Sequence, residues 1–291
     1  MEKKNPVVGI VMPLGSSRAH PGAVLAMSNA TRGNVDYKIG QALTSILTFT
    51  FNTLWAGMLN LRKQDGITHL AMIHSDVVPA VGWLDVLMAE MMRLDAAVVS
   101  AVVPIKDERG LTSTALDVTG DPWMPRRLTM AEVYCDFPET FNHPDLLLNT
   151  GLWLCRFDEP WVEKVWFEQQ DRIAVNTDGT YFAQTKSEDW QFSRRLRELG
   201  LGDRIYATRK VPLMHDDAKY VNSHPWGTWT KDEEGLAGAP VARPMVPDVT
   251  PVAEEIEELP YGEEINDGPR LMQLRAGPSS CNNAHVNVVM G

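Results

Sequence analysis

A short apolar run that stops at a carboxylate constrains the fold of this chain more than any other feature. Residues 70–73 (Leu-Ala-Met-Ile) are followed at once by His74-Ser75-Asp76, and a helical pattern begins at Trp83. A continuous apolar run of this kind is typical of a strand that is buried on both faces of a parallel sheet. Open α/β sheets bind ligands at the carboxyl ends of their strands. The sequence therefore predicts an α/β fold with Asp76 at a ligand-binding edge.

Strand-like and helix-like segments alternate in the first third of the chain. Largely apolar segments at residues 7–12, 68–73 and 96–103 predict three buried strands. Residues 41–63 and 83–94 carry apolar side chains at steps of three and four, which predicts two amphipathic helices. A β-α-β-α-β order favours a mainly parallel central sheet with helices on both faces. We expect a Rossmann-like α/β architecture.

Two irregular segments are expected close to the ends of these strands. Residues 14–34 are rich in glycine, serine, proline and asparagine and show no period, which predicts a long loop after the first strand. Residues 149–151 (Asn-Thr-Gly) separate the apolar runs 146–148 and 152–154. This pattern predicts a strand that is interrupted where the backbone must approach another group closely.

Two later helices are predicted at residues 159–169 and 188–199, and Gly200 ends the second. The first turn of the second helix holds Glu188 and Asp189. A carboxylate at this position either caps the helix and complements its dipole or acts as a general base. Both interpretations of Asp189 stay open from the residues alone.

Length and composition predict a soluble, cytoplasmic α/β protein with a tail. The chain has 291 residues, 44% of them hydrophobic, which is enough for one large domain over residues 1–235. Residues 5–105 and 106–235 form its two expected halves. Residues 236–291, rich in proline and glutamate, predict an extended or disordered tail. The three cysteines show no paired spacing, which indicates neither a disulfide framework nor a zinc site. No apolar stretch is long enough to span a membrane. The formal charge of −11 disfavours a nucleic-acid partner.

Three clusters of acidic and imidazole groups lie at predicted element ends and have complementary chemistry. Asp76 and His215 form the modest ligand set that suits Mg²⁺ or Mn²⁺, and Mn²⁺ also accepts an imidazole such as that of His74. Such a cation offsets the charge of a diphosphate leaving group. Asp189 is the candidate that removes the proton from an attacking hydroxyl. These clusters are expected to meet at one edge of the sheet.

The order of these motifs resembles the family-2-like glycosyltransferases of the GT-A fold, over roughly residues 5–230. The motifs that carry the resemblance are the opening strand at 7–13, Asn52, Ile73-His74-Ser75-Asp76, Asn149-Thr150-Gly151-Leu152, Glu188-Asp189-Trp190-Gln191-Phe192 with Arg194 and Arg195, and His215. The Glu-Asp-x-x-Phe element followed by an amphipathic helix is the most specific part, because its order and spacing agree with the Asp76 motif.

The resemblance implies a role for each matching residue at the donor site. His74-Ser75-Asp76 is similar to the Asp-x-Asp motif of the family, whose last acid binds the metal and through it the donor diphosphate. His215 resembles the histidine that completes this metal site. The segment from Pro13 and Leu14 to Arg18 resembles the one that holds the nucleoside. His74 stands where the family usually has aspartate, which favours Mn²⁺ and leaves metal independence open.

The same resemblance assigns Asp189 as the base of an inverting enzyme and Glu188 as a contact of the acceptor. It implies transfer of a sugar from a nucleotide-sugar donor, favoured as UDP-type, to a hydroxyl acceptor. That acceptor is a glycan, a protein, a small molecule or a hydroxymethylated base in DNA. Lys106 and Arg109 either solubilise a loop or contact phosphate or acceptor. One alternative is a nucleotidyltransferase, whose glycine-rich loop with a basic residue after the first strand is only weakly matched by Gly15-Ser16-Ser17-Arg18. The other is a non-catalytic binding protein on a decayed transferase fold.

Overall fold

The computed structural model describes residues 5–14, 19–33, 35–215 and 219–228. Its helices are α1 (Pro21–Ser28), α2 (Leu47–Asp65), α3 (Trp83–Leu94), α4 (Met130–Cys135) and α5 (Glu188–Glu198). Its strands are β1 (Val7–Leu14), β2 (Asp36–Leu43), β3 (His69–Ile73), β4 (Val77–Pro79), β5 (Val98–Ala101), β6 (Leu111–Leu116), β7 (Arg126–Thr129), β8 (Thr140–Phe141), β9 (Leu146–Leu147), β10 (Leu152–Arg156), β11 (Gln170–Val175), β12 (Tyr181–Lys186), β13 (Ile205–Thr208), β14 (Leu213–His215) and β15 (Tyr220–Val221). The tail expected at 236–291 lies outside the described residues.

The central sheet has seven strands in the order β2-β1-β3-β10-β5-β13-β8. Strands β2, β1, β3, β5 and β13 run in one direction, whereas β10 and β8 are antiparallel to their neighbours. This arrangement confirms a mixed α/β fold with a mainly parallel central sheet. The carboxyl ends of the five parallel strands therefore meet at one edge.

Strand β10 explains how a distant segment reaches that edge. It lies between β3 and β5 and pairs antiparallel with both, with Leu152 opposite Ile73 and Trp153 opposite Ser100. An antiparallel strand begins where its neighbours end. The turn at residues 149–151, which precedes β10, is consequently held against the carboxyl end of β3.

Helices cover both faces of the sheet, as the alternating pattern predicts. The buried face of α2 contributes to one apolar cluster, which includes Phe51, Leu54, Trp55, Met58, Leu61, Trp153, Phe157, Phe167 and Phe192. Helices α1 and α3 contribute to a second cluster, which includes Val8, Ile10, Met12, Ala23, Met27, Trp83, Leu84, Leu87 and Met91. Gly66 ends α2 in a left-handed conformation (φ 70°), which a residue without Cβ adopts with little strain.

The first cluster is unusually aromatic. The rings of Phe167 and Phe192 stack with centroids 4.9 Å apart, and Trp153 lies 5.2 Å from Phe192. Trp55 packs edge-on against Phe167, and its indole N–H donates to the carbonyl of Val162 at 2.9 Å. These contacts fix α5, which carries Phe192, against the sheet. The position of the first turn of α5 at the sheet edge follows from this packing.

Three sequence expectations about the elements were wrong. The helix predicted at 41–63 begins only at Leu47, because residues 36–43 pair in parallel with β1 as an edge strand. The loop predicted at 14–34 contains the short helix α1, whose eight residues are too uniformly apolar to show a helical period. These two errors have one cause, because the secondary structure of both segments depends on packing against the rest of the sheet and not on the local sequence pattern.

The helix predicted at 159–169 is the third error. It is reduced to a 3₁₀ turn at Pro160–Glu163, and the chain then runs extended into β11. The side-chain amide of Asn52 exchanges two hydrogen bonds with the backbone of Phe167, at 2.7 and 2.8 Å. Those bonds hold Phe167 against α2 in place of a helical bond, because a backbone group bonded to a side chain cannot also serve the helix.

Three smaller sheets surround the central one, in the orders β15-β14-β4, β7-β6-β9 and β11-β12. Strand β14 pairs antiparallel with β4, which places His215 opposite Val77. The interrupted strand expected around residues 149–151 is present, since β9 joins the β6 sheet and β10 joins the central sheet.

Among the described residues, helices long and apolar enough to cross a bilayer do not occur.

Candidate active site

The turn after β3 holds Asp76 at the carboxyl edge of the sheet. The backbone N–H of His74 donates to the carbonyl of Gly151 at 2.8 Å, and the N–H of Val77 donates to the carbonyl of His74 at 3.2 Å. The carbonyl of Ser75 accepts from the N–H of His20 at 2.7 Å. These bonds tie the turn to β10 and to the start of α1. The structure places His74, Ser75 and Asp76 where the sequence predicts them.

Two side chains from other elements converge on the carboxylate of Asp76. The ammonium of Lys106 lies 2.5 Å from Oδ2 of Asp76, and Nε2 of His215 lies 3.6 Å from the same oxygen. Nδ1 of His215 lies 2.7 Å from the carbonyl oxygen of Pro104, so it is the nitrogen that donates there. Nε2 of the same ring faces Asp76, and a hydrogen bond from Nε2 to this carboxylate requires a proton on that nitrogen as well.

The charge state of Asp76 follows from these neighbours. Burial alone raises the pKa of a carboxyl group, but hydrogen bonds from His215 and Lys106 outweigh burial and hold the pKa of Asp76 well below its usual range. Asp76 is therefore an anion at every pH in ordinary use. It carries a permanent negative charge that a cation must balance.

Asp189 faces the same edge from the first turn of α5. It accepts a short hydrogen bond from the hydroxyl of Thr150, which is buried in the turn before β10. That turn is rigid because the side-chain amide of Asn149 donates to the carbonyl of Ala101 at 2.6 Å and accepts from the N–H of Gly151 at 2.9 Å. In the described structure the N-cap residue of α5 makes no side-chain capping bond. The Asp189 carboxylate is thus aimed at the Thr150 turn.

Burial changes the acidity of both carboxyl groups in this turn. It raises the pKa of Asp189, and the nearby His74 and the hydrogen bond from Thr150 oppose the rise in part. Burial, together with the charge of Asp189, raises the pKa of Glu188 to about 8. A carboxylate whose pKa lies above its ordinary value is a better proton acceptor near neutral pH. Asp189 is therefore suited to act as a base.

The imidazole of His74 has a ring nitrogen, Nε2, that is shielded from solvent. Its Nε2 is buried and unpaired among the residues that the structure describes, and its ring lies 5.4 Å from that of Phe51. Burial lowers the pKa of His74, although the charges of Asp189 and Asp76 act in the opposite direction. The imidazole is consequently neutral at neutral pH and adds no charge to the site.

The residues expected to hold a nucleoside lie partly in the described structure. Pro13 and Leu14 are at the carboxyl end of β1, which is parallel to β3 with Val11 opposite Met72. They therefore share the sheet edge with the turn that follows β3. Arg18, the third expected residue, lies outside the described residues.

The structure adds two residues that sequence reasoning missed or left undecided. Lys106, for which a solubilising role was one alternative, bonds Asp76. Arg127, on β7, stacks 4.7 Å over the ring of Trp190, donates to the carbonyl of Thr112, and lies close enough to Asp189 for their charges to interact. The pair Arg126-Arg127 was the available signal for this strand, but nothing local distinguishes it from a solvated charge pair.

The expected metal ligands come only partly together among the described residues. Among the described residues, groups of three His, Cys, Asp or Glu side chains that could hold a metal do not occur. Of the three expected ligands, Asp76 and His215 approach each other, but the Lys106 ammonium lies on the carboxylate oxygen that a cation would use. The metal site of Asp76, His215 and His74 stays a prediction from the sequence.

Comparison with known proteins does not assign a family. No family model matches the chain, and no curated protein sequence matches it significantly. Among solved structures it is similar to A197 from STIV, with 16% identity, 72% of this chain and 85% of that chain covered, and a TM-score of 0.41. A putative UDP-N-acetylglucosamine pyrophosphorylase from Entamoeba histolytica is 10% identical, with 69% and 72% covered and a TM-score of 0.31. An apo UDP-glucose pyrophosphorylase is 10% identical, with 72% and 76% covered and a TM-score of 0.35. Similarities this weak establish neither a family nor an activity.

Proposed function

We propose that this chain is a glycosyltransferase of the GT-A fold that moves a sugar from a nucleotide-sugar donor, favoured as UDP-type, to a hydroxyl acceptor. One observation carries the proposal. A partly buried carboxylate with a raised pKa, Asp189, shares a sheet edge with a permanently ionised carboxylate, Asp76, that is paired with cationic Lys106. A base and a charge-balancing pair at one edge are what a displacement from a diphosphate requires.

The proposed step balances with these groups. Asp189 takes the proton of the acceptor hydroxyl as that oxygen attacks the anomeric carbon of the sugar. The bond from this carbon to the diphosphate breaks, and the nucleoside diphosphate leaves with the electron pair. Attack opposite the leaving group inverts the anomeric configuration. The hydroxyl of Thr150 orients the Asp189 carboxylate, because it donates to one of its oxygens.

The remaining expected residues have positioning roles in the proposal. Pro13 and Leu14 hold the nucleoside beside the end of β1, a role that the resemblance also implies for Arg18. His74 and Ser75 shape the turn that presents Asp76, and the neutral His74 separates the charges of Asp76 and Asp189. Glu188, protonated at neutral pH by virtue of its raised pKa, is a hydrogen-bond donor available to an acceptor.

Identification of the products tests the proposal. In the first incubation the purified chain is mixed with a panel of UDP-sugars, and water serves as the hydroxyl acceptor. In the second incubation it is mixed with UTP and sugar 1-phosphates. We expect UDP and free sugar from the first incubation. Pyrophosphate from the second incubation, without UDP from the first, would identify a nucleotidyltransferase instead. Absence of binding to every nucleotide and nucleotide sugar in calorimetry would favour a non-catalytic binding protein.

A further inference from the structure

We propose that Arg127 binds a carboxylate group of the acceptor, so that the hydroxyl acceptor of this chain is a hydroxy acid. This inference rests on the proposed function, because it concerns the second substrate of the same site. It names the chemical class of that substrate, which the sequence leaves open. Arg127 lies on β7, and its charge interacts with that of the proposed base, Asp189.

The first argument is that Arg127 lacks the ion pair that arginines of similar burial have. Its side chain is partly buried, and the structure describes no carboxylate within ion-pair distance of its guanidinium. Every other partly buried arginine among the described residues has such a partner. These arginines are Arg62, Arg126, Arg156, Arg194, Arg195, Arg197, Arg204 and Arg209. A charge removed from water without a bonded counter-charge is costly, and a bound anion offsets that cost.

The second argument is the set of donors that Arg127 leaves available. A guanidinium carries several N–H donors in one plane. The described hydrogen bond uses Nη1, which lies 3.2 Å from the carbonyl oxygen of Thr112. Nε and Nη2 of Arg127 have no hydrogen-bond partner among the described residues, and neither nitrogen is sealed from solvent. Together they form the side of the guanidinium that binds both oxygens of one carboxylate.

The third argument is that the guanidinium is held in one orientation. Its central carbon lies 4.7 Å from the centroid of the Trp190 ring, which is a cation–π contact. Trp190 is itself fixed, because it is buried with Ala115 and Leu147 and its indole N–H donates to the carbonyl of Ser113 at 3.1 Å. A group that is already held in place loses less conformational entropy when it binds a ligand.

The fourth argument is the position of Arg127 relative to the base. Trp190 directly follows Asp189 in the first turn of α5, so the stacked guanidinium is close to this carboxylate. The two charges interact, but the described contacts include no hydrogen bond between Arg127 and Asp189. A hydroxy acid bound between them presents its hydroxyl to Asp189 and its carboxylate to Arg127. The carboxylate stays ionised while Asp189 takes the hydroxyl proton.

The charges around Arg127 favour a carboxylate over a phosphate. Asp107 and Arg109 also act on Arg127, but these two side chains bond each other at 2.8 Å, so their charges largely cancel. One guanidinium then faces the carboxylate of Asp189. A single cation balances the one charge of a carboxylate, whereas a phosphate monoester carries a charge of about −1.5 to −2 and is repelled more strongly by Asp189.

Nuclear magnetic resonance of the arginine side chains tests the inference without any donor. The full chain is labelled with ¹⁵N-arginine, and the Nε–H signals of Arg127 and Arg126 are assigned from the variants Arg127→Lys and Arg126→Lys. The chain is titrated with sodium acetate, with neutral acetamide and with inorganic phosphate, all at constant ionic strength. Arg126 is the internal control, because it precedes Arg127 on β7 and is paired with Glu132.

We expect acetate to shift the Arg127 signal saturably and to leave the Arg126 signal in place. Acetamide should shift neither signal, and the Kd of phosphate at Arg127 should be higher than that of acetate. An Arg127 signal that acetate does not move, or that acetate and acetamide move equally, would overturn the inference. A phosphate Kd below the acetate Kd would overturn the assignment of a carboxylate.

UDP release with matched acceptors tests the same site in the proposed reaction. Each pair consists of an acid and its neutral counterpart: glucuronate with glucose, galacturonate with galactose, and glycerate with glycerol. We expect the acids to give the higher kcat/KM. Arg127→Gln should lower the value for the acids about 10- to 100-fold, which is the effect of losing a hydrogen bond to a charged group, and should leave the neutral acceptors unchanged.

Two further variants separate charge from geometry. Arg127→Lys, which keeps the charge without the planar guanidinium, should retain part of the preference for acids. Arg126→Gln should behave like the unaltered chain. Equal kcat/KM for acids and neutral acceptors would overturn the inference and leave the proposed function intact. If the chain releases no UDP from any UDP-sugar, the proposed function fails, and the acetate titration still decides whether Arg127 binds a carboxylate.

Discussion

The hydrogen bond from Thr150 to Asp189 provides a sharp test of the proposed base. Replacement of the buried Thr150 by valine keeps the shape of the side chain and removes the hydroxyl that donates to the Asp189 carboxylate. The backbone N–H of residue 150, which also stabilises this carboxylate, is retained. The change therefore isolates one donor.

The expected size of the effect follows from that donor. A hydrogen bond to a charged group contributes about 1.5–3 kcal/mol, and each pKa unit corresponds to about 1.4 kcal/mol. Loss of a bond to the ionised form raises the pKa of Asp189 further above its ordinary value. Because the base must be ionised, the acidic limb of the pH profile of kcat/KM should move to higher pH by about one to two units. The plateau at high pH should change little.

The assay is UDP release from a UDP-sugar, measured from pH 5 to 9. Thr208→Val is a matched control, because Thr208 is also buried at a strand end and its hydroxyl lies 2.8 Å from that of Thr140, away from Asp189. The control should leave the limb in place. A Thr150→Val limb that stays fixed or moves to lower pH would refute the role of Asp189 as base.

Three further predictions concern stability. Glu188→Gln should flatten the pH dependence of Tm between pH 5 and 9. The folded-state pKa of about 8 exceeds the ordinary 4.5, so the unaltered chain loses about 4 kcal/mol of stability as pH rises through this window, and the variant with a neutral amide does not. Phe192→Ala should lower the free energy of unfolding in urea by about 3–5 kcal/mol, since Phe192 is buried in the aromatic cluster, whereas Phe192→Leu should lower it less. Asn52→Ala should lower the free energy of unfolding by about 1–3 kcal/mol, because two backbone groups of Phe167 lose their partner. An unchanged urea midpoint for the Phe192→Ala or Asn52→Ala variant would contradict these contacts. Equal Tm curves for Glu188→Gln and the unaltered chain would contradict the raised pKa of Glu188.

Much of the sheet could be predicted because its physics is local. Continuous apolar runs mark β1, β3 and β5, and the spacing of Phe51, Leu54, Met58 and Leu61 marks the buried face of α2. Parallel strands share a carboxyl edge, so groups at strand ends are expected to be neighbours. The structure brings His74 and Asp76 to this edge for that reason, whereas His215 reaches it from β14 and Asp189 from the first turn of α5.

The contacts within the site could not be predicted because they join distant residues. Lys106 and Asp76 are 30 residues apart, and Thr150 and Asp189 are 39 apart. Each contact depends on β10 running antiparallel between β3 and β5, or on β14 pairing with β4, and neither pairing has a local pattern. The edge strand β2 was missed in the same way, since an exposed strand lacks the apolar run that marks a buried one.

Removal of the Asp189 charge tests whether this carboxylate is the base. Asp189→Asn and the exposed control Asp203→Asn are compared with the unaltered chain for UDP release from a UDP-sugar and for UDP affinity. We expect Asp189→Asn to lower the rate of UDP release at least about 100-fold, while the Kd for UDP changes less than about twofold, because the base acts on the acceptor and not on the nucleotide. Asp203→Asn should behave like the unaltered chain. An Asp189→Asn variant that releases UDP at the full rate would contradict the role of Asp189 as base.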